Sequence, residues 1–129
     1  MLILIAGPYQ SGTDGDPAAM AANLNHLEQA AWPIFEAGHV PVIGEWIALP
    51  LLNSVGASVT DELADGVLYP VAERLLPHCD AVLRLPGSSA GAHQDVEVAR
   101  QLGLPVFFDV REIPRVNVQQ AAAPVAELS

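Results

Sequence analysis

The chain has 129 residues, is 51% apolar but only 5% aromatic, and carries a formal net charge of −10. That length is one domain, and a core of Ala, Val, Leu and Ile fits tightly packed helices on a sheet. Its five basic residues, Arg74, Arg84, Arg100, Arg111 and Arg115, are scattered, which argues against nucleic acid and against an anionic membrane surface as partners.

Leu2 to Ala6 is a continuous apolar run closed by Gly7-Pro8, the pattern of a strand buried on both faces of a parallel sheet. It is too short for a membrane span and lacks the positive start of a signal peptide. With Cys79 as the single cysteine, no intrachain disulfide forms, and a reducing, cytoplasmic setting is expected. After a turn-rich loop, Met20, Leu24, Leu27, Ala31 and Ile34 recur at helical spacing. One helix is predicted there, capped by Asp16, opened by Pro17, weakened at Pro33 and stopped at Gly38.

His39 to Ile43 reads as a second strand, with Pro41 arguing for an edge or a strand start. Glu45 to Ser58 carries Pro50, Asn53 and Gly56 and is expected to be an irregular helical turn over the site. A helix is predicted over Thr60 to Pro77 on the stripe Leu63, Val67, Val71 and Leu75, interrupted by Gly66 and Pro70. A strand follows over Asp80 to Leu85, then the loop Pro86 to Gly91, a helix from Ala92 to Leu102 and a strand from Pro105 to Phe108. Residues 1–114 are expected to form the domain and 115–129 a tail. The fold class is therefore α/β: a single Rossmann-like domain with a parallel sheet of four to five strands flanked by helices.

In such open sheets ligands bind outside the carboxyl ends of the strands, which selects the loops Gly7 to Pro17 and Pro86 to Gly91. The first offers Gly7, Pro8, Tyr9 and Ser11: small residues for close approach, a hydroxyl, and a ring able to stack on a flat group. It is neither a P-loop nor the dinucleotide fingerprint. No nucleophile elbow of the Gly-x-Ser-x-Gly type occurs, and His26, His39, His78 and His93 form no close metal-type pair; no metal and no cofactor are expected.

Helical phase separates the acids of the last helix. Advancing 100° per residue from Ala92 puts Val96, Ala99 and Leu102 on one side with Asp95, while Glu97 falls with His93 and Arg100 on the other. A carboxylate on the apolar side of a helix that starts at a ligand-binding edge needs an account. It is either a cap for the loop Ser88-Ser89, where Ser89 is itself an N-cap candidate, or a functional group, with burial raising its pKa and the helix N-terminus lowering it. Glu45, after the second strand, is a second candidate at the same edge.

The segments Ala6-Gly7-Pro8-Tyr9, Cys79-Asp80-Ala81-Val82-Leu83-Arg84, and Ser89-Ala90-Gly91-Ala92 leading to Gly103-Leu104-Pro105-Val106 resemble the nucleoside 2-deoxyribosyltransferase-like superfamily, most closely its small bacterial branch. The resemblance covers the chain to about Pro114. It implies a homo-oligomer that binds a nucleoside or nucleotide in the cleft formed by Gly7, Pro8, Tyr9, Ser11, Ser88, Ser89 and Gly91. It also implies N-glycosidic cleavage or deoxyribosyl transfer through a carboxylate nucleophile. The family's Glu falls by spacing at Asp95, one methylene shorter; Glu45, taken from its place after the second strand, is the candidate helper. The competing expectations are a binding module of the same fold without turnover, and an oligomeric structural protein whose apolar segment Trp46 to Val55 is an interface.

Overall fold

A computed structural model describes residues 1–116 of the chain. Four strands, β1 (Leu2–Ala6), β2 (Val40–Val42), β3 (Ala81–Arg84) and β4 (Val106–Phe107), form one parallel sheet in the order β2-β1-β3-β4. Five helices accompany them: α1 (Pro17–Gln29), α2 (Ala31–Glu36), α3 (Gly44–Ser54), α4 (Asp65–Leu75) and α5 (Ala90–Gln101). The architecture is a Rossmann-like α/β domain.

Side-chain alternation along β1 builds both layers. Ile3 and Ile5 pack with Leu27 and Ile34 of α1 and α2 on one face, while Leu4 and Ala6 pack with Ala92 and Ala99 of α5 on the other. Because both faces are covered, a strand with no polar residue is stable here. Pro41, which has no N–H to give to a ladder, sits in the edge strand β2 beside Ile3.

Several boundaries differ from the sequence pattern for physical reasons. The long first helix divides at Ala30, since Pro33 has no N–H to offer the carbonyl of Gln29. The segment expected to be irregular is a regular helix, α3, with Pro50 on its exposed side. The helix expected from Thr60 begins only at Asp65, and Leu63, assigned to its buried stripe, lies before it and is exposed. Leu75 is followed by a single 3-10 turn, Leu76–His78.

The expected domain limit at 114 is crossed without a break: the Val116 amide donates to Ala37 O at 2.7 Å, and Arg115 Nη2 to Glu36 O at 3.2 Å. From residue 117 the expected tail lies outside the described residues. Among the described residues no helix is long and apolar enough to cross a membrane.

Candidate active site

The chain leaves β1 for β2 on one side and later returns to pair β3 on the other side of β1. That reversal of strand order opens a crevice at the carboxyl ends of the central strands. A cavity of about 260 Å³ lies there, close to the lower end of the roughly 300–1,000 Å³ usual for small-molecule sites.

Its floor is the end of β1, Leu4 to Ala6, continued by Gly7. Gly7 is required by close packing: a Cβ there would stand 2.7 Å from Leu27 Cδ2 and 3.3 Å from Leu85 Cβ. The loop after it is held by its own turns. The Thr13 hydroxyl donates to Gln10 O at 2.6 Å, and Asn23 Nδ2 of α1 donates to Tyr9 O at 2.8 Å. These contacts fix Tyr9, only 7% exposed, against the cavity.

A second wall comes from α5. Its N-cap is Ser89, whose hydroxyl accepts from the Ala92 amide at 3.1 Å, so the cap proposed for Asp95 is supplied by serine instead. The helix begins at Ala90, two residues earlier than the pattern indicates. Asp95 is thereby in the second turn, beyond the free amides that would stabilise its charge.

Burial consequently wins. The Asp95 carboxyl is pushed up to about 7, first by desolvation and then by the negative charge of Glu45, with Arg84 opposing. Arg84 is itself turned to the loop after β3, donating to Leu85 O and, at 2.9 Å, to Gly87 O. Glu97, two residues on, points outward and pairs with Arg100 at 3.9 Å. The helical phase thus separates the two acids as the sequence pattern indicates.

The third wall is the start of α3, directly after β2. Glu45 stands in its first turn, and burial raises its carboxyl while its own backbone amide opposes the rise. Tyr9 is raised as well, by burial and then by Glu45. Glu45 therefore acts across the cavity on both Tyr9 and Asp95, which come from two other connections.

Gly7, Tyr9, Ser11, Glu45, Ser89, Gly91 and Asp95 all line the space. Pro8 and Ser88 do not: Pro8 packs under Gly87, where a Cβ would meet Pro8 Cγ at 2.7 Å, and Ser88 is exposed on the outer side of the loop. The fourth wall is α4, with Leu68, Tyr69 and Ala72. Tyr69 escapes a stripe analysis because it lies off the Val67 and Val71 rows. Its ring lies against the start of α5, where a Cβ on Gly91 would stand in ordinary contact, 3.7 Å from Tyr69 Cε1.

Among the described residues no Lys, Arg or His lines the cavity. Comparison of the chain with protein-family models, with curated proteins and with solved structures found no match.

Proposed function

We propose that the cavity binds a nucleoside or nucleotide and that the chain cleaves or transfers at its N-glycosidic bond, with Asp95 as nucleophile and Glu45 as helper. The observation that carries this reading is the convergence of two half-buried carboxylates from α3 and α5, both raised by desolvation and Asp95 further by Glu45, on one cavity beside Tyr9. Carboxylate pairs in a shared, partly dry space are what glycosidic chemistry at a sugar's anomeric carbon requires.

In the first step an ionised Asp95 oxygen bonds to the anomeric carbon as the carbon–nitrogen bond breaks. The electron pair leaves with the base, which takes its proton from the Glu45 carboxyl if it departs as an anion, leaving Glu45 as the carboxylate. In the second step water, or the nitrogen of an acceptor base, attacks the same carbon and gives its proton to the Glu45 carboxylate. Asp95 departs and the original configuration is restored. Ser11 and Ser89 offer hydroxyls at the mouth for the sugar, and Tyr9 and Tyr69 offer rings for the base.

The test is incubation with a panel of deoxynucleosides and their monophosphates, with free base measured by chromatography. Base release that Asp95→Asn abolishes supports the reading. No release at high protein concentration overturns it, and a nucleoside that raises the Tm without product moves the protein to the non-catalytic binding alternative.

A further inference from the structure

Among the described residues no basic side chain in the cavity wall complements a negative charge, which meets only the first amides of α3 and α5, whereas two of the lining residues are carboxylates and two are tyrosines. The five arginines explain the imbalance. Arg84 is tied to the carbonyls of Leu85 and Gly87, Arg100 to Glu97, Arg111 to Asp109 and Arg115 to Glu36 O, while Arg74 is exposed on α4, outside the cavity wall. A ligand that brings positive charge would relieve both the desolvation of Glu45 and Asp95 and their mutual repulsion. A neutral ligand would relieve neither, and an anionic one would add to the repulsion.

We propose that the N-glycoside this cavity accepts carries its base as a cation, a pyridinium or ring-N-alkylated purine nucleoside, held between the carboxylates of Glu45 and Asp95 and beside the rings of Tyr9 and Tyr69. The cavity supplies the two elements that recognise delocalised cations, fixed negative charge and aromatic rings, in a space closed on four sides by β1, α3, α4 and α5.

The inference rests on the glycosidic reading above and simplifies its chemistry. When Asp95 attacks the anomeric carbon of such a nucleoside, the carbon–nitrogen bond breaks with its electron pair moving onto the cationic ring nitrogen. The base leaves neutral and needs no proton, so neither carboxyl has to serve as an acid. Water then attacks the same carbon and loses its proton to Glu45, and Asp95 is freed. Overall, a cationic nucleoside and water give a neutral base, a free sugar and one proton.

The test separates charge recognition from turnover. Calorimetry on the unmodified protein at neutral pH compares nicotinamide with its ring-N-methyl cation, neither of which contains a glycosidic bond. Chromatography then compares base release from nicotinamide riboside, its neutral dihydro form and neutral deoxynucleosides. The cation is expected to bind at least about tenfold more tightly than the neutral molecule. Glu45→Gln, which keeps shape and removes charge, is expected to shrink that preference.

Cation affinity is also expected to rise with pH through about 7 as Asp95 loses its proton. Glu45 of α3, Tyr9 after β1, Tyr69 of α4 and Arg84 of β3 are the other titratable or charged groups around it. Equal binding of the two probes, preference for the neutral one, or no binding of either overturns the inference. That result leaves the glycosidic reading standing if neutral deoxynucleosides still release base. A clear preference for the cation with no base release from any glycoside has the opposite meaning: the charge recognition holds and the glycosidic reading falls.

Discussion

Asp95 and Asp109 are the same side chain in two settings, and their carboxyls are displaced in opposite directions. Asp109 follows β4 on the surface, where Arg111 donates to it from its backbone amide at 2.8 Å, from Nε at 3.0 Å and from Nη2 at 2.7 Å. These bonds favour its charged form and hold its carboxyl at about 2. Asp95 has no hydrogen-bond partner among the described residues and faces another acid, and its carboxyl rises to about 7. A residue that only stabilises a turn is given partners. The acid in the cavity is left without them, as a group that must meet a ligand would be.

The largest effect expected from breaking this contrast is on turnover. Asp95→Asn should lower base release by at least about a thousandfold if the side chain is the nucleophile. Activity of the unmodified protein should rise with pH through about 7, because the attacking form is the carboxylate and that is where its proton leaves. A flat profile across that range would separate Asp95 from the chemistry.

Stability should respond with the opposite sign. Folding raises the Asp95 carboxyl from its ordinary 3.8 to about 7, so the folded chain holds this proton more tightly than the unfolded one. The group costs nothing below about pH 4, costs progressively more as pH rises, and costs its full amount above about pH 7. That cost is about 4 kcal/mol for a fully shielded group and on the order of 3 kcal/mol for this half-buried one, which solvent partly screens. Asp95→Asn should therefore raise the Tm by roughly 5–10 °C in mildly alkaline buffer and leave it nearly unchanged in acid. A Tm gain that is the same at both pH values would mean the carboxyl is not raised.

Gly7→Ala tests the floor of the cavity. The added methyl meets Leu27 and Leu85, and a cost of about 1–3 kcal/mol in denaturant unfolding is expected, with weakened ligand binding because β1's end must shift. Ser89→Ala removes the α5 cap and should cost about 1 kcal/mol. The smallest effect belongs to the other side of the comparison. Arg111→Ala at the fully exposed Asp109 pair should leave activity intact and barely move the Tm, since the pair is screened by water.

The sequence carried the sheet and half of the site. Leu2–Ala6 is unambiguous because an apolar run ended by Gly7-Pro8 has few other uses, and Asp95 emerges from phase alone because Val96 and Ala99 define the buried side of α5. The helix start was only half legible there. Ser89 has the side chain of an N-cap and is the cap, but Ala90 and Gly91 are equally compatible with a loop, so the pattern begins α5 two residues late.

The α3 and α4 region was less readable for a different reason. Those two helices pack on each other as well as on the rest of the domain, so their apolar residues do not fall into one stripe, and Pro50 and Pro70 sit inside regular helices that spacing rules would interrupt. Tyr69 is invisible to such rules because what places it at the cavity is the packing of α4 beside the start of α5, some twenty residues away in sequence.

The central place of β1 has a consequence for how the cavity comes into being. Glu45 follows a strand paired to one edge of β1 and Asp95 follows a strand paired to the other, with Ile3 set against Pro41 on one side and against Ala81 on the other. Neither acid has a local reason to be near its partner. The site exists only once both long-range pairings have closed, so a ligand held there grips four separate stretches of chain at once, and its binding is the first thing lost when any of them lets go.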